Sequence, residues 1–198
     1  MGNWPYSRSR GIALAATFAA LISLTSALRI PLDPITQVPI TLQVFVVYLA
    51  AALLGARYGT LSMVIYLVLG AVGLPVFAGP SGTAALLGPT GGYLFAFPIA
   101  TLLGGYVARR RRATRGGDTI RVSLSALLSL LVIYVIGVVW LSNNLSRSLL
   151  DGVLLGAVPF IPVDLLKAVV AVPIAVRLRW SALQLPGNAG GPEPGASQ

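Results

Sequence analysis

Long apolar stretches separated by short polar or proline-rich segments run through most of the chain. A membrane helix needs about 20 mostly apolar residues, and six stretches approach that length. They predict an all-α, multi-pass protein with six transmembrane helices. The predicted spans are residues 11–28, 40–56, 59–74, 91–108, 122–141 and 161–179.

The segments outside these spans predict no soluble domain. Residues 1–10 are predicted to form a cytoplasmic N-terminal tail, and residues 11–180 the membrane domain. Residues 181–198 are rich in Gly and Pro, which is typical of a disordered end. We expect this C-terminal tail to be cytoplasmic as well.

Composition excludes a soluble protein and most catalytic chemistries. Hydrophobic residues make up 56% of the 198 residues and charged ones only 10%, whereas a soluble domain has about 25% charged residues. The chain contains no His and no Cys. Disulfides, Ser-His and Cys-His nucleophile pairs and the usual zinc ligands are therefore excluded. We expect no catalytic residue, no metal site and no cofactor.

The positive charges predict the orientation in the membrane. If the N-terminus is cytoplasmic, only Arg29 and Arg147 lie outside among the arginines, and both termini are inside by the positive-inside rule. The run at residues 109–112 then signals orientation rather than nucleic-acid binding, and contact with anionic membrane lipid is a compatible role. The inside set is Arg8, Arg10, Arg57, Arg109, Arg110, Arg111, Arg112, Arg115, Arg121, Arg177 and Arg179.

The three predicted outer loops differ from ordinary solvated turns. Residues 29–39 contain three prolines, and residues 74–89 are uncharged and rich in Gly and Pro. Residues 142–159 include a short apolar segment near 149–158. Such segments favour a lid folded over the bundle, because non-helical backbone at membrane depth must be buried in protein or line a cavity. Ordinary extracellular turns are the alternative.

Asp164 and Lys167 are the strongest candidate site residues. They lie three positions apart in the last span, so a helix places them on one face. Ionisable residues within spans are costly and usually mark a binding or transport site. Asp164 is the single acidic residue within a predicted span, and Lys167 is the single lysine of the chain. The alternative is a salt bridge that serves only helix packing.

Further polar groups converge on the same end of the predicted bundle. Thr41 and Gln43 lie at the outer end of the second span, and Thr90 and Tyr93 at the outer end of the fourth. Amide, hydroxyl, phenol, carboxylate and ammonium groups together suit a small, partly apolar ligand with an anionic group and hydrogen-bonding heteroatoms.

Small residues in the first span allow close approach of another helix. Ala15 and Ala19, and likewise Ala16 and Ala20, are spaced four apart. Sequence alone leaves open whether that helix belongs to this chain or to a partner.

Four segments resemble the biotin-specific substrate-binding (S) component of energy-coupling-factor (ECF) transporters. The resemblance covers residues 11–180 with order and spacing preserved. The segments are VPITLQ at 38–43, GLPVFAG at 73–79, LGPTGGYL at 87–94 and PFIPVDLLKA at 159–168.

The resemblance implies a plasma-membrane protein that captures biotin from outside, with no enzymatic activity. It implies a transmembrane coupling subunit and two cytoplasmic ATPases as partners, which alone use ATP, and no nucleic acid. Asp164 and Lys167 match the family's acidic and basic positions, and Gln43, Thr90, Gly91 and Tyr93 match motif positions. The resemblance also implies that the small residues of the first span dock the coupling subunit.

Three other functions remain as alternatives. The chain could be an S-component for another vitamin, although the GPTGGY and PVDLLK segments argue against it. It could be a membrane scaffold with an internal Asp–Lys salt bridge. A lipid-modifying enzyme would need clustered carboxylates or a His or Ser catalytic set. Whether the ion pair meets the ligand's carboxylate or its ureido ring stays open at this point.

Overall fold

The predicted apolar stretches form helices in the computed structural model, which describes residues 7–80, 82–109 and 114–181. By length and composition, four helices could cross a membrane, or five if the bent pair α6 and α7 forms one span. The elements are α1 (Arg8–Ala27), β1 (Arg29–Leu32), β2 (Thr36–Thr41), α2 (Gln43–Ala71), α3 (Thr83–Leu87), α4 (Gly91–Ala108), α5 (Arg115–Asn144), α6 (Leu149–Gly156) and α7 (Ile161–Ser181).

Helix α2 is a hairpin rather than a straight rod. Gly55 has φ 69° and ψ −171°, which interrupts the helix; this left-handed φ favours glycine because it has no Cβ. Gln43 and Tyr66 are hydrogen-bonded, yet 23 residues of straight helix would separate them by about 34 Å. The chain therefore reverses at Gly55, and α2 consists of two packed arms, residues 43–54 and 56–71.

The segment after α1 contains two short β-strands, so the fold is not purely helical as predicted. It forms an antiparallel ribbon in which Ile30 pairs with Ile40 and Leu32 with Thr36. The prolines of this segment exclude a helix, as predicted, but Pro31 and Pro39 are accommodated in an extended two-stranded ribbon. Thr41 consequently ends β2 instead of belonging to the second span.

Two helices begin earlier in the chain than the predicted spans. Arg8 and Arg10 already lie in α1, so the N-terminal tail is shorter than expected. Helix α5 begins at Arg115 rather than near residue 122, which brings Asp118 into its first turn. The rest of both terminal tails, residues 1–6 and 182–198, and residues 110–113 of the arginine run lie outside the described residues.

The core is built on α2, α4 and α5. Gly105 of α4 packs against the turn of α2 so closely that a Cβ would meet the backbone nitrogen of Ala56 at 2.3 Å. Between α4 and α5, Ser125 Oγ donates to the carbonyl of Gly104 at 2.7 Å and Ser129 Oγ to that of Ala100 at 3.0 Å. Small residues and hydroxyl-to-carbonyl bonds thus hold these helices together, as is common in membranes.

The helices connect at two ends of the bundle. We call the end with the ribbon and the segments 72–90 and 145–160 the loop end. The end with the Gly55 turn and the last turn of α4 is the base end.

Arg179 closes the base end. Its Nε lies 3.1 Å from Oδ2 of Asp118, a residue that is 0% exposed. Its Nη1 donates to the carbonyls of Ala52 at 2.7 Å and Ala108 at 2.9 Å. These carbonyls belong to the last turn of the first α2 arm and of α4, where helix carbonyls lack intrahelical partners and carry partial negative charge. One guanidinium therefore joins four helical segments.

We call these contacts of Arg179 with Asp118, Ala52 and Ala108 the Arg179 clamp, and we expect them to stabilise the fold. We expect Arg179→Gln to lower the free energy of unfolding by about 3–5 kcal/mol, because it removes the Arg179 guanidinium from a buried carboxylate and from two helix carbonyls. Arg177→Gln is the matched control, because Arg177 lies two residues before Arg179 on a different, exposed face of α7; it should cost no more than about 0.5 kcal/mol. Thermal unfolding in detergent checks both. Equal losses in the two variants would contradict the clamp.

Candidate ligand-binding site

A cavity of about 270 Å³ lies at the loop end, between the helices and the segments that connect them. Its size is near the lower end of small-molecule pockets, which range from about 300 to 1,000 Å³. The predicted outer loops line it, as a lid would. Its polar lining includes side chains from the ribbon (Arg29, Asp33, Thr36, Thr41), from α2 and α4 with its N-cap (Gln43, Thr90, Tyr93) and from α5 and α7 (Tyr134, Asp164, Lys167).

Asp164 and Lys167 form an ion pair inside this cavity. Lys167 Nζ lies 2.6 Å from Asp164 Oδ1, and the two residues are only 8% and 4% exposed. Asp164 lies in the first turn of α7, where the helix dipole stabilises an anion. Ala168, Ala171 and Ala175 continue the same buried face. The predicted shared face is confirmed, and the pair is oriented towards the cavity rather than the lipid.

The Asp164 carboxylate has a second donor that the sequence did not indicate. Tyr134 of α5 donates its hydroxyl to Asp164 Oδ2 at 2.7 Å. Tyr48 Oη, from the first arm of α2, lies 3.5 Å from the backbone carbonyl of Asp164. Each carboxylate oxygen of Asp164 is thus bonded before any ligand is present, and α7 is tied to α5 and α2 at this point.

Gln43 also lines the cavity and is held in a hydrogen-bonded chain. Its Oε1 accepts from Thr41 Oγ1 at 3.0 Å, and its Nε2 donates to Tyr66 Oη. The amide therefore joins the end of β2 to the second arm of α2. Because an amide carries two N–H groups and two acceptor lone pairs, Gln43 keeps one donor and one acceptor for a ligand.

The three candidate residues around the start of α4 have different surroundings. Thr90 lines the cavity as the N-cap residue and makes no capping bond with its side chain. Tyr93 also lines the cavity, but its hydroxyl donates to the carbonyl of Gly156 at 2.8 Å. Gly91 instead packs against α3, where a Cβ would meet the carbonyl oxygen of Leu86 at 1.9 Å. Gly91 thus allows α3 to pack closely against the start of α4. We call the segment between α2 and α4, which includes α3 and lines the cavity, the cover.

The cover is bonded to the bundle on both sides. On one side, Ser26 Oγ donates to the carbonyl of Val76, and Arg29 Nη1 donates to that of Ala78 at 2.5 Å. On the other, Trp140 Nε1 donates to the carbonyl of Gly88 at 2.9 Å. Three backbone carbonyls of the segment between α2 and α4 thus bond to the bundle, while the exposed Arg29 guanidinium keeps further donors beside the cavity.

The four small residues of α1 divide into two pairs. Ala15 and Ala19 are buried in the core of this chain, where α1 packs mainly on α2. Ala16 and Ala20 are exposed on the outer surface of α1. Packing within the chain thus accounts for the first pair, and the second pair is free to meet another helix.

Sequence reasoning missed Tyr134, Tyr48 and Tyr66 as polar partners. All three lie in apolar stretches, where an aromatic residue is normally read as packing. Only the pairing of helices reveals that their hydroxyls meet Asp164 and Gln43. No group of three or more His, Cys, Asp or Glu residues that could hold a metal ion occurs in the part of the chain that the structure describes.

The apolar helices and the cavity lined by polar side chains define an integral membrane protein with a cavity of small-molecule size at one end of its bundle. The chain belongs to the BioY family, whose profile matches residues 2–184. The family match covers all elements and all candidate residues described above.

Relatives and a solved structure agree with this assignment. The chain is 44% identical to the probable biotin transporter BioY of Pyrococcus horikoshii over 87% of this chain and 98% of that protein. It is 42% identical to the biotin transporter BioY of Thermotoga maritima, over 86% and 96% of the two chains. It is also similar to the crystal structure of the S-component for biotin from an ECF-type ABC transporter, with a TM-score of 0.77, 33% identity, and coverage of 91% and 95%.

Proposed function

We propose that the chain binds biotin and serves as the substrate-binding subunit of an ECF-type transporter in the plasma membrane. The buried Asp164–Lys167 pair within an enclosed cavity carries this proposal. The names of the relatives and of the solved S-component support biotin as the ligand. A role in transport rather than catalysis follows from the same names.

The ion pair recognises the ureido ring rather than the carboxylate of biotin. One edge of a cyclic urea carries an N–H donor beside a C=O acceptor. Asp164 and Lys167 offer the complementary acceptor and donor side by side. Because Asp164 already neutralises Lys167, a ligand carboxylate placed there would face a buried anion, which is unfavourable.

The ligand carboxylate lies at the loop end beside Arg29. This guanidinium lines the cavity, is exposed, and uses one Nη1 bond to the carbonyl of Ala78. Arginine suits carboxylates because its planar fork offers several donors. Gln43, which also lines the cavity, offers the ligand one further donor and one acceptor.

The proposed topology has six membrane crossings with both termini in the cytoplasm. The reversal at Gly55 supports counting the two arms of α2 separately, beside α1, α4, α5 and α7. The distribution of arginines supports a cytoplasmic base end, since Arg57, Arg109, Arg115 and Arg177 lie near it. The cavity then opens outward through the loop end.

A transmembrane coupling subunit and two cytoplasmic ATPases are the proposed partners. The solved S-component of an ECF-type transporter supports such a module. The exposed pair Ala16 and Ala20 of α1 is the proposed docking face for the coupling subunit, because small residues allow two helices to approach closely. Partner subunits would hydrolyse the ATP.

We expect the purified chain to bind biotin in detergent without ATP. Asp164→Ala and Lys167→Ala should each weaken binding roughly 10- to 100-fold, because each removes charge-assisted hydrogen bonds. Asp151→Ala is the matched carboxylate control, since Asp151 bonds Ser148 at the start of α6 outside the cavity lining. Calorimetric titration measures all four proteins.

Two outcomes of the titration would contradict the proposal. A folded wild-type chain that gives no heat with biotin would exclude biotin capture. Unchanged affinity in both Asp164→Ala and Lys167→Ala would leave the ion pair with a packing role alone.

We expect Ala16→Trp to retain biotin binding but to abolish most uptake, because the indole would separate α1 from the coupling subunit. Leu131→Trp is the control and should transport normally. Leu131 lies on α5 and is 59% exposed. Uptake of labelled biotin by cells containing the complete transporter measures both. Normal uptake by Ala16→Trp would refute this docking face.

A further inference from the structure

Tyr134 occupies an unusual position for a residue in the middle of an apolar helix. It belongs to α5, whereas the ion pair it contacts belongs to α7. Its hydroxyl donates to Asp164 Oδ2 at 2.7 Å, and its side chain lines the cavity. The phenol is therefore close enough to influence a ligand through Asp164 without being part of the ion pair.

The ion pair cannot orient the Asp164 carboxylate by itself. Lys167 lies on the same helix and bonds only Oδ1. If the carboxylate rotated about its Cβ–Cγ bond, either oxygen could make this contact, so the contact alone does not fix the plane of the carboxylate. The Tyr134 bond to Oδ2 comes from a separate helix and removes this freedom. Two donors on two oxygens hold the plane of the carboxylate.

The same two bonds determine which further hydrogen bonds the Asp164 carboxylate can accept from a ligand. An ionised carboxylate has about four lone-pair sites, and Lys167 and Tyr134 each use one on a different oxygen. The remaining acceptor sites stay beside the ammonium of Lys167, in the arrangement that a urea edge requires. If Oδ2 were unbonded, a buried oxygen without a partner would turn towards whatever donor is available.

We propose that Tyr134 is a positioning residue that sets the specificity of the site by orienting Asp164 for the ureido group of the ligand. This inference rests on the proposed function, because it assigns Tyr134 a role in the capture of biotin. Tyr134 acts on the ligand through Asp164, and its own hydroxyl stays on Oδ2 in the bound state.

A double-mutant cycle tests this coupling. In the wild-type background, Tyr134→Phe should weaken biotin binding roughly 10- to 100-fold, as expected for a hydrogen bond to a charged group. In the Asp164→Ala background, the same change should cost less than about 3-fold, because its acceptor is gone. Calorimetric titration, with competition where binding is tight, gives the four dissociation constants.

Tyr93→Phe provides the matched control. Tyr93 also lines the cavity, but its hydroxyl bonds the carbonyl of Gly156 instead of Asp164. Its effect on affinity should be the same with and without Asp164, so the cycle should be additive. The thermal midpoint of each variant is measured as well, and Tyr134→Phe should lose affinity out of proportion to any loss of stability.

Infrared spectroscopy tests the hydrogen bond without any ligand. The carboxylate band of Asp164 is isolated by subtracting the spectrum of Asp164→Asn. Tyr134→Phe should shift this band and Tyr93→Phe should not. An unshifted band in Tyr134→Phe would overturn the proposal.

The binding outcomes separate this inference from the function on which it rests. If the wild-type chain binds biotin and the Tyr134 cycle is additive, the positioning role is wrong and biotin capture stands. If the folded wild-type chain does not bind biotin, biotin capture falls, and the specificity role of Tyr134 falls with it.

Discussion

A charge pair inside a membrane protein must be satisfied by the protein itself, and this requirement shapes the loop end of the bundle. Removing Asp164 and Lys167 from water is costly, and their mutual attraction offsets that cost only with good geometry and additional hydrogen bonds. The first turn of α7, the short Lys167 contact and the Tyr134 hydroxyl together supply these conditions. These bonds form only when α5 and α7 pack at a particular distance and each helix has a particular rotation about its axis.

At the base end, too, a buried charge is satisfied by other groups of the protein. There Asp118 is compensated by Arg179, and the remaining donors of Arg179 satisfy helix carbonyls of Ala52 and Ala108. The two charged clusters differ in access. The pair at the loop end borders a cavity, whereas the guanidinium at the base end is surrounded by helix termini. The molecule thus has a cavity beside the charged pair at one end of its bundle and a guanidinium bonded to helix termini at the other.

Much of this architecture could be predicted from the chain because hydrophobic runs and i,i+3 spacing report local structure directly. The face shared by Asp164, Lys167 and Ala168 follows from such spacing. The pattern at 149–158 indicated only an apolar segment, and the structure forms helix α6 there. The ribbon at residues 29–41 was missed because proline indicates only what a segment cannot form. Tyr134 and Asp118 were missed because their partners lie 30 and 61 residues away along the chain. Those contacts depend on how the helices pair, which hydropathy does not encode.

In the proposed binding mode, the buried and mutually neutralised Asp164–Lys167 pair binds the neutral ureido edge of biotin, and the carboxylate of biotin lies beside Arg29. A structure of the chain with biotin bound tests this most directly. We expect a ureido N–H within hydrogen-bonding distance of Asp164, the ureido oxygen within hydrogen-bonding distance of Lys167, and the carboxylate beside Arg29. A carboxylate bonded to Lys167, with the ureido ring towards Arg29, would contradict it.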